Sequence, residues 1–209
     1  MKFNDNSKDI RLKIREGSFS STTSGLNPGF TQTNVVILPN EYALDFMIFC
    51  QRNPKSCPLI EVLTPGKVEA QISSLGSDIR TDVPKYRVFK SGKMISEVTD
   101  VLDYWRDDFV TFLLGCSFTF ESALIEAGIK LKHYELKKNV AMYISNIDSV
   151  SSDIFSGSMV VSMRWIHNND IEKAVETTKK YPSMHGEPIH IGDPSKIGIS
   201  DISKPDFGD

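Results

Sequence analysis

The sequence predicts an α/β fold in which a parallel-containing sheet with flanking helices carries a smaller β-β-α lobe. Three observations lead to it. The apolar run Val35-Val36-Ile37-Leu38 is followed by a helix opened by Pro39-Asn40-Glu41 and running to about Arg52, then by a second apolar run over 59–63. These lengths, with the breakers Asn53-Pro54 and Cys57-Pro58, are those of a right-handed βαβ crossover with a parallel strand pair. Residues 86–98 alternate in two runs joined at Lys90-Ser91-Gly92-Lys93, which reads as a hairpin. Extended segments over 140–145 and 158–166 precede an amphipathic helix over 170–181, a β-β-α unit. The main α/β domain is accordingly expected over 1–130 and 183–209, and the smaller α+β lobe over 131–182.

The remaining elements follow in order. Ser7 caps a helix that puts Ile10 and Ile14 on one face and stops at Gly17. Residues 18–34 form a long Ser/Thr/Gly/Asn-rich loop around the turn Asn27-Pro28-Gly29, and loops of that length in a compact domain are usually functional. Thr23 and Gln32 are its candidate substrate contacts, an ordinary Asx/ST-turn connection being the alternative. The loop 51–58 is expected to be structural, because in an open parallel sheet it lies opposite the strands' C-terminal ends. Thr99 or Asp100 caps a helix carrying Leu102, Trp105, Phe109, Phe112 and Leu113 at helical spacing, with Arg106 and its acidic neighbours on a solvated face and Gly115 as its end. A shorter helix over about 119–127 closes at Gly128.

Composition narrows the function classes. The chain has 209 residues, 40% of them hydrophobic and 24% charged, as in ordinary globular proteins. With 24 basic against 27 acidic residues, a net charge of -3 and no basic block, nucleic acid is not an expected partner. No apolar h-region marks the N-terminus, and the longest apolar run, 109–120, is too short to cross a bilayer, so a cytoplasmic protein with no membrane association is expected. Cys50, Cys57 and Cys116 match no metal or redox spacing and are expected as reduced thiols.

Chemistry concentrates in His185-Gly186-Glu187-Pro188-Ile189-His190-Ile191-Gly192-Asp193-Pro194. Pro188 excludes a helix there, and in an extended segment the odd separation of His185 and His190 sends them to opposite faces, which argues against a metal site. His185 and Glu187 share a face and form a candidate acid/base pair, against a solvated surface turn as the alternative. Gly115-Cys116-Ser117-Phe118-Thr119-Phe120-Glu121 lacks the glycine of a nucleophile elbow at Thr119 and is preceded by the expected helix rather than a strand. It reads instead as a turn feeding a helix N-terminus, where Ser117 or Thr119 caps, free N–H groups attract an anion and Glu121 compensates the dipole. Arg80 and Asp82 lie on one face of an extended stretch, either as a solvated ion pair or with Arg80 presented to a carboxylate.

Together the peptides Arg15-x-Gly17-x-Phe19, Thr23-Ser24-Gly25-Leu26, Gln32-x-Asn34-x-x-Ile37-Leu38-Pro39, Asp45-Phe46-x-x-Phe49-Cys50-x-Arg52-Asn53-Pro54-Lys55-x-Cys57-Pro58-Leu59, Asp78-Ile79-Arg80-Thr81-Asp82-x-Pro84-x-Tyr86-Arg87, Gly115-Cys116-Ser117-Phe118-x-Phe120-Glu121, Val160-Val161-Ser162-Met163-Arg164 and the 185–194 block resemble the YcsI proteins, the D-glutamate cyclase family of hydro-lyases. The resemblance covers nearly the whole chain. It implies an α/β architecture, taken here as a three-layer main domain with a two-layer lobe, and loss of water from D-glutamate to close 5-oxo-D-proline, with no cofactor and no metal. That reaction needs an amine deprotonated, an oxyanion stabilised, a hydroxide protonated and a carboxylate held. His185 with Glu187, or His190 with Asp193, are the candidate base and acid; Arg80 or Arg87 clamps the carboxylate, and the turn at Ser117 serves the oxyanion. A small-molecule carboxylate is the expected partner, in a monomer or a homo-oligomer. A carboxylate-binding protein without catalysis, or dehydration of another amino or hydroxy acid, are the competing expectations. Family members also continue past the block 206–209 into a His-rich segment absent from this chain, so one wall of the site is expected from sequence beyond it.

Overall fold

A computed structural model of the chain describes residues 7–209; the stretch 1–6, on which the expectation of no signal peptide partly rests, lies outside the described residues. The elements in order are α1 (Ser7–Arg15), β1 (Thr33–Pro39), α2 (Asn40–Arg52), β2 (Leu59–Leu63), β3 (Tyr86–Lys90), β4 (Lys93–Val98), β5 (Phe109–Gly115), α3 (Glu121–Glu126), α4 (Lys132–Glu135), β6 (Met142–Asp148), β7 (Ser158–Ser162) and α5 (Ile171–Thr178). The class is α/β, as expected. Among the described residues no helix is long and apolar enough to cross a membrane.

The main sheet has the order β1-β5-β2. Both pairings are antiparallel, with Val36 opposite Phe112 and Val62 opposite the same Phe112 on the other side. Strands β1 and β2 therefore run the same way, as the βαβ spacing requires, but they are not hydrogen-bonded to each other because β5 lies between them. The expected parallel pair is thus corrected to two antiparallel pairs sharing a central strand.

Strand β5 occupies the run expected to be a helix. Only a single 3₁₀ turn, Leu102–Tyr104, precedes it. Its physical reason is burial on both faces. Val110 and Phe112 pack on Ala43, Phe46 and Cys50 of α2, with the Phe46 ring edge-on to Phe112 at 4.9 Å. Leu113, facing the other way, packs with Leu63, Ala70 and Ile79. A central strand apolar at nearly every position also satisfies the i, i+3, i+4 template of a helix, and here β-branched and aromatic residues decide for the strand.

The second face of the sheet is covered by irregular chain over 64–84, tied down by two buried carboxylates. Asp82 takes a two-pronged bond from Arg15 of α1, at 2.8 Å on each oxygen. Glu61 of β2 accepts from the main-chain N–H groups of Gln71, Ile72 and Ser73 and from the Ser73 hydroxyl. Beyond the sheet, β6 and β7 pair antiparallel with α5 following, in the expected β-β-α order. Helix α2 grips the loop between them: Asn53 bonds both main-chain groups of Val150, and Asp45 accepts from Ser152, Asp153 and Ile154. A further apolar cluster joins Phe120 and Leu124 to Ile129, Leu131, Ala174 and Met184.

Candidate active site

The antiparallel sense of β5 decides where the site lies. Its C-terminal end, Gly115, falls opposite Thr33 at the start of β1, and Leu114 falls opposite Leu59 at the start of β2. Gly115 N–H donates to the Pro58 carbonyl at 2.8 Å and Cys116 N–H to the Gln32 carbonyl at 3.0 Å. Three loops, 18–32, 53–58 and 116–120, therefore meet at one end of the sheet. The loop 51–58, expected to be structural, joins them because β5 inverts the geometry of a parallel sheet.

A cavity of about 480 Å³ opens beside this junction, with Lys55, Ser117, Arg164 and His185 in its lining. The chemistry behind it centres on Glu121, whose side chain is 0% exposed. Arg164 donates to Glu121 Oε1 through Nη2 at 2.6 Å and Nε at 3.2 Å, His133 Nε2 lies 3.0 Å from the same oxygen, and Ser24 Oγ donates to Oε2 at 3.1 Å. Burial alone would raise the Glu121 carboxyl, but the His133 contact and the Arg164 charge and hydrogen bonds outweigh it and hold it below the usual range. The Tyr134 phenol, half-buried beside it, is pushed up to about 12 by burial and by the Glu121 charge.

Arg164 is thereby fixed at the cavity floor. Its Nη2 also donates to Ser117 Oγ at 3.0 Å, and its guanidinium lies 5.0 Å from the Phe120 ring centroid. Nη1 makes no hydrogen bond among the described residues and remains available to an anion.

His185 sits next to it in the left-handed region, at φ 73°. Such a conformation in a non-glycine residue is strained and held by its surroundings. What holds it is close packing on β5: a Cβ at Gly115 would stand 2.0 Å from the Ser183 carbonyl oxygen and 2.8 Å from the Met184 sulfur. Only glycine lets the 183–185 segment approach so closely. His185 Nδ1 donates to the Lys55 carbonyl at 2.9 Å. Burial lowers the His185 pKa, the Lys55 and Gly115 carbonyls oppose this, and the Arg164 charge reinforces it, so the ring is neutral near pH 7.

The other sequence candidates fall in several places. His190 lines the cavity, but Nε2 meets the main-chain carbonyl of Asp193, at 2.7 Å, rather than its carboxylate. The Asp193 carboxylate caps the turn at Ser195 N–H. Glu187 is exposed; its carbonyl, not its side chain, accepts from Lys55 Nζ at 2.5 Å. The segment 185–193 turns through positive φ at His185, Gly186 and Gly192, so the alternating faces of an extended strand do not apply to it. Arg80 is engaged by both oxygens of Asp78 while Asp82 pairs with Arg15, and Arg87 pairs with Glu97 on the exposed hairpin. Neither arginine lines the cavity. Thr23 Oγ1 donates to the Gln32 side chain and Gln32 N–H to Thr119 Oγ1, so this pair braces the loop whose Ser24 reaches Glu121. Ser117 lines the cavity. A strand does precede its turn, but burial pushes the Cys116 thiol up, and Thr119 still stands where an elbow needs glycine.

Arg164, His133 and Ser24 were not among the sequence candidates, and Glu121 was read only as compensating a helix dipole. One signal was present: Glu121 lies three residues before Leu124 on the apolar side of its helix, where a carboxylate needs a buried partner.

The chain is similar in sequence to several bacterial proteins. It is 53% identical over 201 residues, 96% of this chain and 76% of the relative, to a protein of Thermoanaerobacter sp. strain X514, 50% identical over 208 residues, 100% and 80%, to one of Natranaerobius thermophilus, and 51% identical over 203 residues, 97% and 77%, to one of Geobacillus kaustophilus. All three bear the name "Putative hydro-lyase". The family model described as D-glutamate cyclase matches residues 110–209, the span holding Ser117, Glu121, Arg164 and His185. The chain belongs to the D-glutamate cyclase family.

Proposed function

We propose that the cavity is the active site of a hydro-lyase that converts D-glutamate into 5-oxo-D-proline and water. The observation that carries this reading is Arg164, locked by buried Glu121 at the cavity floor beside a neutral His185. Arg164 holds the α-carboxylate. His185 takes a proton from the substrate ammonium, and the freed amine attacks the γ-carboxyl carbon to form the C–N bond. Ser117 and the adjoining N–H groups stabilise the oxyanion. The attacking nitrogen gives up a second proton to one γ-carboxyl oxygen, the C–O bond to that oxygen breaks, and the departing hydroxide leaves as water with the proton returned from His185. Lys55, beside His185, offsets the second carboxylate.

The test is incubation with D- and L-glutamate, with product followed by mass spectrometry. Loss of one water from D-glutamate, reduced about 100-fold or more in His185→Ala and Arg164→Ala, supports the reading. Absence of product from D-glutamate and from a panel of other amino and hydroxy acids assigns the cavity to carboxylate binding without catalysis.

A further inference from the structure

Besides its polar groups the cavity has an apolar wall of Val161, Ile166, Ile171, Val175, Ile191 and Ile199. Four of α5's side chains reach it together because Ile171, Ala174, Val175 and Thr178 share one helix face. The mouth is apolar too: Trp165 is 54% exposed, Ile191 51%, Val160 46% and Ile189 39%, all lining the same space. At about 480 Å³ the cavity falls in the range that houses drug-sized ligands and exceeds the small, polar body of glutamate. Glutamate placed on Arg164 leaves the apolar wall in water.

We propose that the site accepts carboxylic acids with an extended apolar body, the head group on Arg164 and Ser117 and the body along the α5 and 189–199 wall. The inference rests on the reading of Arg164 as the carboxylate anchor and widens the substrate class beyond glutamate. The Thr178 hydroxyl on this wall is turned back onto the Ala174 carbonyl at 2.9 Å, and Ser162, Asn168 and His190 add polar groups to the lining.

The experiment is calorimetric titration of the protein with straight-chain monocarboxylates from butyrate to octanoate, with the matching primary alcohols and D-glutamate in parallel. Affinity for the acids rises about fourfold with each methylene that reaches the wall. The heat-capacity change of binding grows more negative along the series. Val175→Thr, close in volume to the native residue, flattens the rise. Equal affinity across the acids overturns the inference and leaves the glutamate reading standing. Alcohols that bind as tightly as the acids remove Arg164 as the anchor, and both readings fall together.

Discussion

Glu121 and Arg164 form a pair whose members cannot be removed singly without cost. The Arg164 side chain is 10% exposed and the Glu121 side chain 0%, so losing the carboxylate leaves a guanidinium out of water and unpaired. Glu121→Gln is expected to lower stability by about 3 kcal/mol, read from the midpoint of urea unfolding. His185 sets a pH dependence of known sign. Because its folded pKa lies below the ordinary value of about 6.5, the unfolded chain takes up the proton first as pH falls. Stability is therefore highest above that value and declines from there down to the folded pKa. The catalytic base obeys the same shift: kcat/KM for D-glutamate is expected to be flat through neutral pH and to fall only below about 6.5, as a pH–rate profile would show. At this scale the sequence was partly legible. His185 announced itself through the glycines and prolines around it, and Ser117 through its turn. Arg164 did not, because a guanidinium after an alternating strand looks like any surface residue until its buried acceptor is known. Arg80 drew attention instead, since nothing in the spacing tells Asp78 from Asp82 as its partner.

Among the elements, β5 does most to shape the site. Its last residue, Gly115, is where the 183–185 segment rests, and Gly115→Ala would force a methyl into the Ser183 carbonyl. Backbone cannot yield as a flexible side chain can, so the segment moves and takes His185 with it. The expected outcome is a stability loss of about 1–3 kcal/mol by urea unfolding, together with a fall in kcat/KM that persists well below the melting temperature. A variant as active as the parent would show that His185 tolerates displacement. The hairpin of β3 and β4, helix α2 and the β-β-α run were all legible because each carries a single clean period or a turn signal. Strand β5 was not, since a run buried on both faces has no period to report. That misreading propagated: the loop 53–58 lies at the starts of β1 and β2, as the βαβ reading requires, but with a helix in place of β5 nothing brought the 116–120 turn to that end, and the loop read as structural.

For the whole molecule, the cavity links folding to ligand. A ligand that binds only the folded state at about 100 times its dissociation constant adds about 2.7 kcal/mol, and in a chain of this size each kcal/mol moves the melting temperature by about 2–4 °C. Saturating D-glutamate is expected to raise the melting temperature by about 5–10 °C in scanning calorimetry, with L-glutamate producing less. No shift at any concentration would remove D-glutamate as the ligand. The α/β class could be read from alternating element types alone, whereas strand order could not, because pairing partners are set by which faces must be covered.

The place of β5 between β1 and β2 also bears on how the chain is made. On the ribosome β1 is complete at Pro39 and β2 at Leu63, yet each has its hydrogen-bonding partner only when residue 115 has emerged. At about 5–20 residues per second the first strand waits on the order of ten seconds, its edge open to whatever nascent chain lies nearby. A message truncated before codon 109 would leave both strands without a mate, and such a product should depend on chaperones where the longer one does not.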